Sequence, residues 1–386
     1  MLEHALRGSR RYWALQAFWG LLIVAGLAAY SQQFIQGLTI TGQSRDVAWG
    51  LYISQFTFLV GVAASAVMVV LPYYLHDYKA FGRMVILGEF LAVSAVMMCA
   101  TFILVDLGQP MRVLNVFLHP SPASPMFWDT VVMTGYLTLN LVIGLVTLSA
   151  ERKGTRPPGW IKPLIYISIP WAVSIHTVTA FIYSGLAARP YWMTAILAPR
   201  FLASAFASGP CFLILLALIL RKYTKFDPGK EAIQKLAVIV AYAMSISFFF
   251  VLVELFTVLY SGMPHHVDQF AYLFMGLGGH TALVPWMWAS ALLTVVSVVL
   301  LLFPGVRRQE KYLVGICVAV IVAIWIEKGL GMIVVGFIPS PLGHITEYSP
   351  TALEIVITLG VYGIGFFVLT TLYKIVVGVR EQMEQT

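Results

Sequence analysis

Asp106, Gln109, Pro110 and Arg112 fall together in the stretch DLGQPMR, directly after the apolar run MVILGEFLAVSAVMMCATFILV. Asp106 can exchange a proton, Gln109 and Arg112 can donate hydrogen bonds, and Pro110 stops a helix so that these groups line a mouth. The plainer alternative is that Asp106 and Arg112 pair at a helix end and shape the loop. Further ionisable residues lie inside apolar runs: Glu89, His176, Glu254, the neighbours Glu327 and Lys328 in IWIEKGLGM, and Glu354 at the start of the last run. Such groups are costly in hydrocarbon and mark a pathway or a site. Along one helix, Glu89 and Asp106 are separated by roughly 25 Å at the α-helical rise, so two protonatable groups bracket most of a membrane.

Each of these residues also has a structural reading. Glu327 and Lys328 could pin helices together, although adjacent residues point about 100° apart and each then needs its own partner. His176, six residues after Pro170, could bond a carbonyl freed by a proline kink. Glu89 and Glu254 could be neutral acids bonded to a neighbouring helix.

The elements that must position these groups follow from composition. Of 386 residues, 60% are hydrophobic and 11% charged, with mean hydropathy +0.86. Ten runs can cross the bilayer, at residues 13–37, 49–75, 84–105, 129–150, 162–187, 200–220, 234–260, 280–303, 312–337 and 351–378. They are too long for barrel strands, so they must be helices, and the fold class is an all-α polytopic membrane protein. With no linker or soluble segment, residues 1–386 read as a single transmembrane domain. The first run is too long for a cleaved leader and is expected to stay as an anchor.

Of the 24 Lys and Arg residues, 19 fall on one side of this ten-span arrangement. Only Arg45, Arg112, Arg189 and Arg200 fall on the other, and Lys328 lies inside a span. The basic side is cytoplasmic by the positive-inside rule, which places both termini there. This distribution accounts for the net charge of +7 without a nucleic-acid partner. Trp49, Trp128, Trp160, Trp171, Trp192, Trp286 and Trp288 read as interfacial belts. Cys99, Cys211 and Cys317 lack any cluster or c-haem spacing, and only His176 is a histidine well inside a span. Neither an iron–sulfur cluster nor haem is therefore expected on this chain.

The stretches GLYISQFTFLVGVAASA (50–66), LVDLGQPMR (104–112) and SPMFWD (124–129) together resemble the NrfD family, the quinone-interacting membrane subunits of polysulfide-reductase-like complexes. PWAVSIHTVTAFIYSGLAARPYW (170–192), APRFLASAFASG (198–209), IWIEKGLGM and GFIPSPLGHITEYSPT (336–351) resemble its ten-helix branch, including the membrane subunits of the Dsr and Hmc complexes of sulfate-reducing microbes. Gln109 stands where many relatives carry Arg, and Asp129 where many carry Gly.

The resemblance implies two helical bundles and a menaquinone or other quinone site in the N-terminal bundle near the outer face. It also implies an extracytoplasmic ferredoxin-like iron–sulfur subunit docked there, with a multihaem cytochrome c and other membrane subunits completing a complex in the cytoplasmic (inner) membrane. The candidate quinone contacts are Tyr52, Gln55, Asp106, Gln109, Arg112 and His176. The candidate proton pathway is Glu89, Asp106, His176, Glu254, Glu327 and Lys328. Two rival expectations are a secondary transporter with these charges at a midplane site and a structural anchor that binds no quinone.

Overall fold

A computed structural model describes residues 2–385. Among the described residues, ten helices are long and apolar enough to span a membrane: α1 (Arg10–Ile40), α2 (Leu51–Leu75), α3 (Lys79–Asp106), α4 (Pro125–Arg152), α5 (Ile161–Ser184), α6 (Leu197–Tyr223), α7 (Lys230–Ser261), α8 (Val284–Leu302), α9 (Glu310–Val335) and α10 (Ala352–Met383). No strand occurs among the described residues. The all-α polytopic reading is borne out.

The helices pack as two groups that differ from a division by chain order. The last helix, α10, lies against α1 and α3, so the end of the chain closes the bundle begun by its start. A Cβ added at Gly26 would lie 2.6 Å from the Gly360 Cα, so the α1 and α10 backbones nearly touch. In lipid, helices associate through this kind of small-residue approach and through interhelical hydrogen bonds. Gln16 of α1 supplies one such bond, donating to the Thr371 hydroxyl of α10 at 2.9 Å. The second group is α6, α7, α8 and α9, and α2 runs between the groups, touching α3 on one side and α6 and α9 on the other.

Two spans are irregular where they meet. In α2 the helix is interrupted at residues 64–66, where Ala64 N–H and Ser65 N–H bond to Gly61 and Val62 carbonyls three residues back. The freed Ala63 carbonyl accepts from the Tyr136 hydroxyl of α4 at 3.2 Å, as buried backbone in lipid must find a partner. In α9, Trp325–Gly331 forms a π-helix, a feature frequent at functional sites. Gly329 lets it approach α2: a Cβ there would sit 3.2 Å from the Ser54 carbonyl oxygen.

Trp49 and Trp192 depart from the interfacial-belt expectation. They stack at 5.6 Å and, with Tyr183 and Phe337, form an aromatic core at the end of the molecule where α5 passes into α6, and Trp192 is fully buried there. Loop closure over the bundle, rather than lipid contact, holds them. Trp128, Trp160, Trp286 and Trp288 are exposed, as belt residues would be. A Cβ at Gly336 would overlap the Trp192 ring. Gly336→Val is therefore expected to cost about 1–3 kcal/mol by overpacking, read as a lower melting temperature of the purified protein in detergent.

Candidate functional site

The end of the first bundle at which α1 passes into α2 carries a connected polar network. Gln33 of α1 donates to the Val105 carbonyl at 2.6 Å and accepts from the Tyr52 hydroxyl of α2 at 2.7 Å. Asp106, the last residue of α3, accepts from Gln43 at 2.5 Å. Beside them Glu354, fully buried in the first turn of α10, accepts from Gly42 N–H (2.7 Å), Thr351 N–H (2.8 Å) and the Tyr348 hydroxyl (2.7 Å). The Tyr348 hydroxyl in turn accepts from Leu51 N–H at 2.8 Å. Burial, and then the Glu354 carboxylate, push the Tyr348 phenol upward in pKa, which keeps it a donor.

The expected mouth is assembled differently. Helix α3 ends at Asp106, four residues before Pro110, and Pro110–Arg112 form a separate 3-10 turn. Gln109 and Arg112 are exposed, and Asp106 is held by Gln43 from the α1–α2 loop. Asp106 and Arg112 form no ion pair, so the helix-end pairing reading fails also. The extended backbone at Leu107 carries the rest of the motif out over the surface.

One turn deeper than Tyr52, Gln55 is 2% exposed. Its Oε1 accepts from the Trp325 indole of α9 at 2.9 Å and from the Tyr362 hydroxyl of α10 at 2.7 Å. An indole N–H can only donate, so the atom it meets must be the amide oxygen. No acceptor for the Gln55 amide nitrogen is found among the described residues.

His176 is buried in α5, with Nδ1 on the Ala172 carbonyl at 2.8 Å and Nε2 without a partner. Ala172 is one turn back on the same helix and its carbonyl is not the one that Pro170 frees, so the kink does not explain this histidine. Toward the C-terminal end of the same helix, Thr179 donates to Asp129 at 2.6 Å and Tyr183 meets Thr57 at 2.5 Å. None of these bonds links His176 to Tyr52, Gln55 or Asp106.

The second group of helices holds an ionic cluster. Arg200, buried in the first turn of α6, binds Glu254 of α7 through Nη1 and Glu327 of α9 through Nη2. Its place in the sequence suggests an outer-face residue; folding instead sets it between two carboxylates. Lys328 meets the neighbouring residue of α6, with Nζ 3.4 Å from the Phe201 carbonyl and 4.2 Å from the Phe201 ring centre. The different partners expected for Glu327 and Lys328 are thus found. A cavity of about 90 Å³ borders Arg200, Glu254, Glu327 and Tyr191. Glu89 of α3 stands apart: it is 1% exposed and neither carboxyl oxygen has a partner. Gln33, Trp325 and Tyr362 are absent from the sequence expectations. An amide inside an apolar run is the signal that could have found Gln33.

Residues 39–336 match the family described as Polysulphide reductase, NrfD. The chain belongs to the NrfD family. It is 26% identical to a putative dimethyl sulfoxide reductase membrane subunit of Halobacterium salinarum, over 90% of this chain and 87% of that one. It is 25% identical to the Hdr-like menaquinol oxidoreductase integral membrane subunit of Archaeoglobus fulgidus, over 69% and 65%. It is also 21% identical to a selenate reductase subunit of Mesobacillus selenatarsenatis, over 94% and 93%. Gln55, Asp106, His176, Arg200, Glu254 and Glu327 all lie within the NrfD match; Glu354 and Tyr362 lie beyond it.

Proposed function

We propose that this NrfD-family chain is the quinone-reactive membrane subunit of a multi-subunit respiratory redox complex, exchanging electrons between menaquinone and partner subunits. The observation that carries this reading is Gln55: a buried amide whose oxygen is doubly used and whose nitrogen is unused, beneath a layer of Tyr52, Gln33 and Asp106. A quinone asks for an apolar surround with a few placed donors at its carbonyls and a group that passes protons. Gln55 supplies the donor, and Asp106, at the rim, the proton acceptor. One relative is named a menaquinol oxidoreductase subunit, and none of the three is named a transporter.

The quinone, when bound, takes up or gives up two electrons and two protons. Tyr52 and Gln55 hold its head, Asp106 exchanges protons at the outer rim, and Glu89, His176, Glu254, Glu327 and Lys328 serve proton movement deeper in the membrane. The sequence offers no ligation pattern for a cluster or haem, so electrons pass to a ferredoxin-like iron–sulfur subunit outside, and onward to a multihaem cytochrome c. Its platform is the pair of loops 106–128 and 187–199, the first presenting exposed Met111, Leu114, Phe117 and Leu118. The protein lies in the cytoplasmic membrane with both termini cytoplasmic, following its basic residues.

The test is quinol-linked electron transfer by the purified complex. Gln55→Leu is expected to lower kcat/KM about tenfold or more, as loss of a buried hydrogen bond implies, and Asp106→Asn to lower it with assembly intact. Arg112→Leu is expected to leave it unchanged. A loss in Arg112→Leu with none in Gln55→Leu would move the quinone head out to the loop.

A further inference from the structure

A glutamine side chain is two-faced: its amide can turn over and present either an acceptor or a donor to the same point. At Gln55 that freedom is removed from two directions. Trp325 comes from the π-helical stretch of α9 and Tyr362 from the middle of α10, and both place their hydrogen on the one oxygen. Tyr362 is itself restrained, edge-on to Phe102 at 5.7 Å and stacked with Phe366 at 6.2 Å. Turning the amide would set its NH2 against an indole N–H, which has no lone pair to offer, at depth where an unmet donor costs most.

Were Gln55 only a pin between helices, its nitrogen would be paired as its oxygen is. Instead no bond to the nitrogen is found among the described residues, while the oxygen carries two. The three residues come from α2, α9 and α10, so the arrangement requires both helix groups to be docked.

We infer that Trp325 and Tyr362 are positioning residues that hold Gln55 as an obligate hydrogen-bond donor, so that the site favours the oxidised quinone, whose carbonyl accepts, over the quinol, whose hydroxyl also needs an acceptor. This rests on the quinone reading given above and adds to it the redox form preferred by the site and the residues that set the preference.

The experiment compares binding of a naphthoquinone and its reduced naphthoquinol to the purified complex, for the native chain, Gln55→Leu, Gln55→Glu, Trp325→Phe and the double variant Trp325→Phe/Tyr362→Phe. The native protein is expected to prefer the quinone. In the double variant the amide turns freely, and the quinone-to-quinol affinity ratio is expected to fall about tenfold, the worth of one such bond. Trp325→Phe, which keeps the Tyr362 bond, should lower the ratio about threefold on the same scale, and it decides the matter if the double variant does not assemble. Gln55→Glu keeps an acceptor for both clamps and has no amide donor, so it is expected to lose the quinone preference altogether. An unchanged ratio in the Trp325 and Tyr362 variants, with binding abolished in Gln55→Leu, would overturn the positioning role and leave the quinone site standing. Native binding of both forms in Gln55→Leu would remove the site itself.

Discussion

Arg200→Met is expected to destabilise the protein more than any other single substitution considered, by about 3–5 kcal/mol, the usual cost of breaking a buried ion pair from one side. The guanidinium sits between Glu254 and Glu327 with one nitrogen on each. Without it two carboxyl groups share a small cavity, and they must take up protons or draw in water. The melting temperature of the purified protein should fall sharply, and much of the loss should return in the triple variant that also carries Glu254→Gln and Glu327→Gln. Recovery would show that the cost lay in unpaired charge. A melting temperature as low in the triple variant as in Arg200→Met would assign the loss to packing.

The same cluster allows pinning to be told from proton handling. Glu327→Gln keeps the shape and leaves Arg200 paired with Glu254, so the complex should assemble. Loss of quinone-linked proton uptake in vesicles marks Glu327 as a relay, whereas normal uptake reduces it to a structural pin.

Glu89→Leu is expected to act in the opposite sense, raising stability by about 1–3 kcal/mol because a buried polar group without a partner is replaced by an apolar one. Neither oxygen of Glu89 is bonded, and α4 approaches it closely, where a Cβ at Gly144 would stand 3.2 Å from Oε2. A residue that costs stability and has no partner is explained by a task. Quinone-linked proton uptake should therefore fall at least tenfold in the variant that melts higher, since the relay would lose a proton-carrying step. Stabilisation with unchanged uptake would dismiss the relay, and destabilisation would show that Glu89 has a partner the described contacts do not reveal.

The composition alone determined that this chain crosses a membrane as helices, because the cost of an unpaired backbone in hydrocarbon leaves no other choice for ten apolar runs. It also determined which ionisable groups would lie within the spans: Glu89, His176, Glu254, Glu327 and Lys328 were legible simply from lying inside those runs. Their partners were not. Arg200 and Glu327 are separated by 127 positions, and Gln55 and Tyr362 by 307. Contacts over such distances depend on how α10 returns to α1 and α3 and on the π-turn from which Glu327 and Lys328 each reach a different partner. DLGQPMR shows the same limit at short range. Its residue types announced a polar mouth, yet the backbone after Asp106 leaves the helix and carries Gln109 and Arg112 to the surface, while Gln43 takes their expected place. Hydropathy acts residue by residue and is written along the chain. Hydrogen-bond partnership is a pairwise property of spans that only docking brings together, and so the tertiary structure decided it.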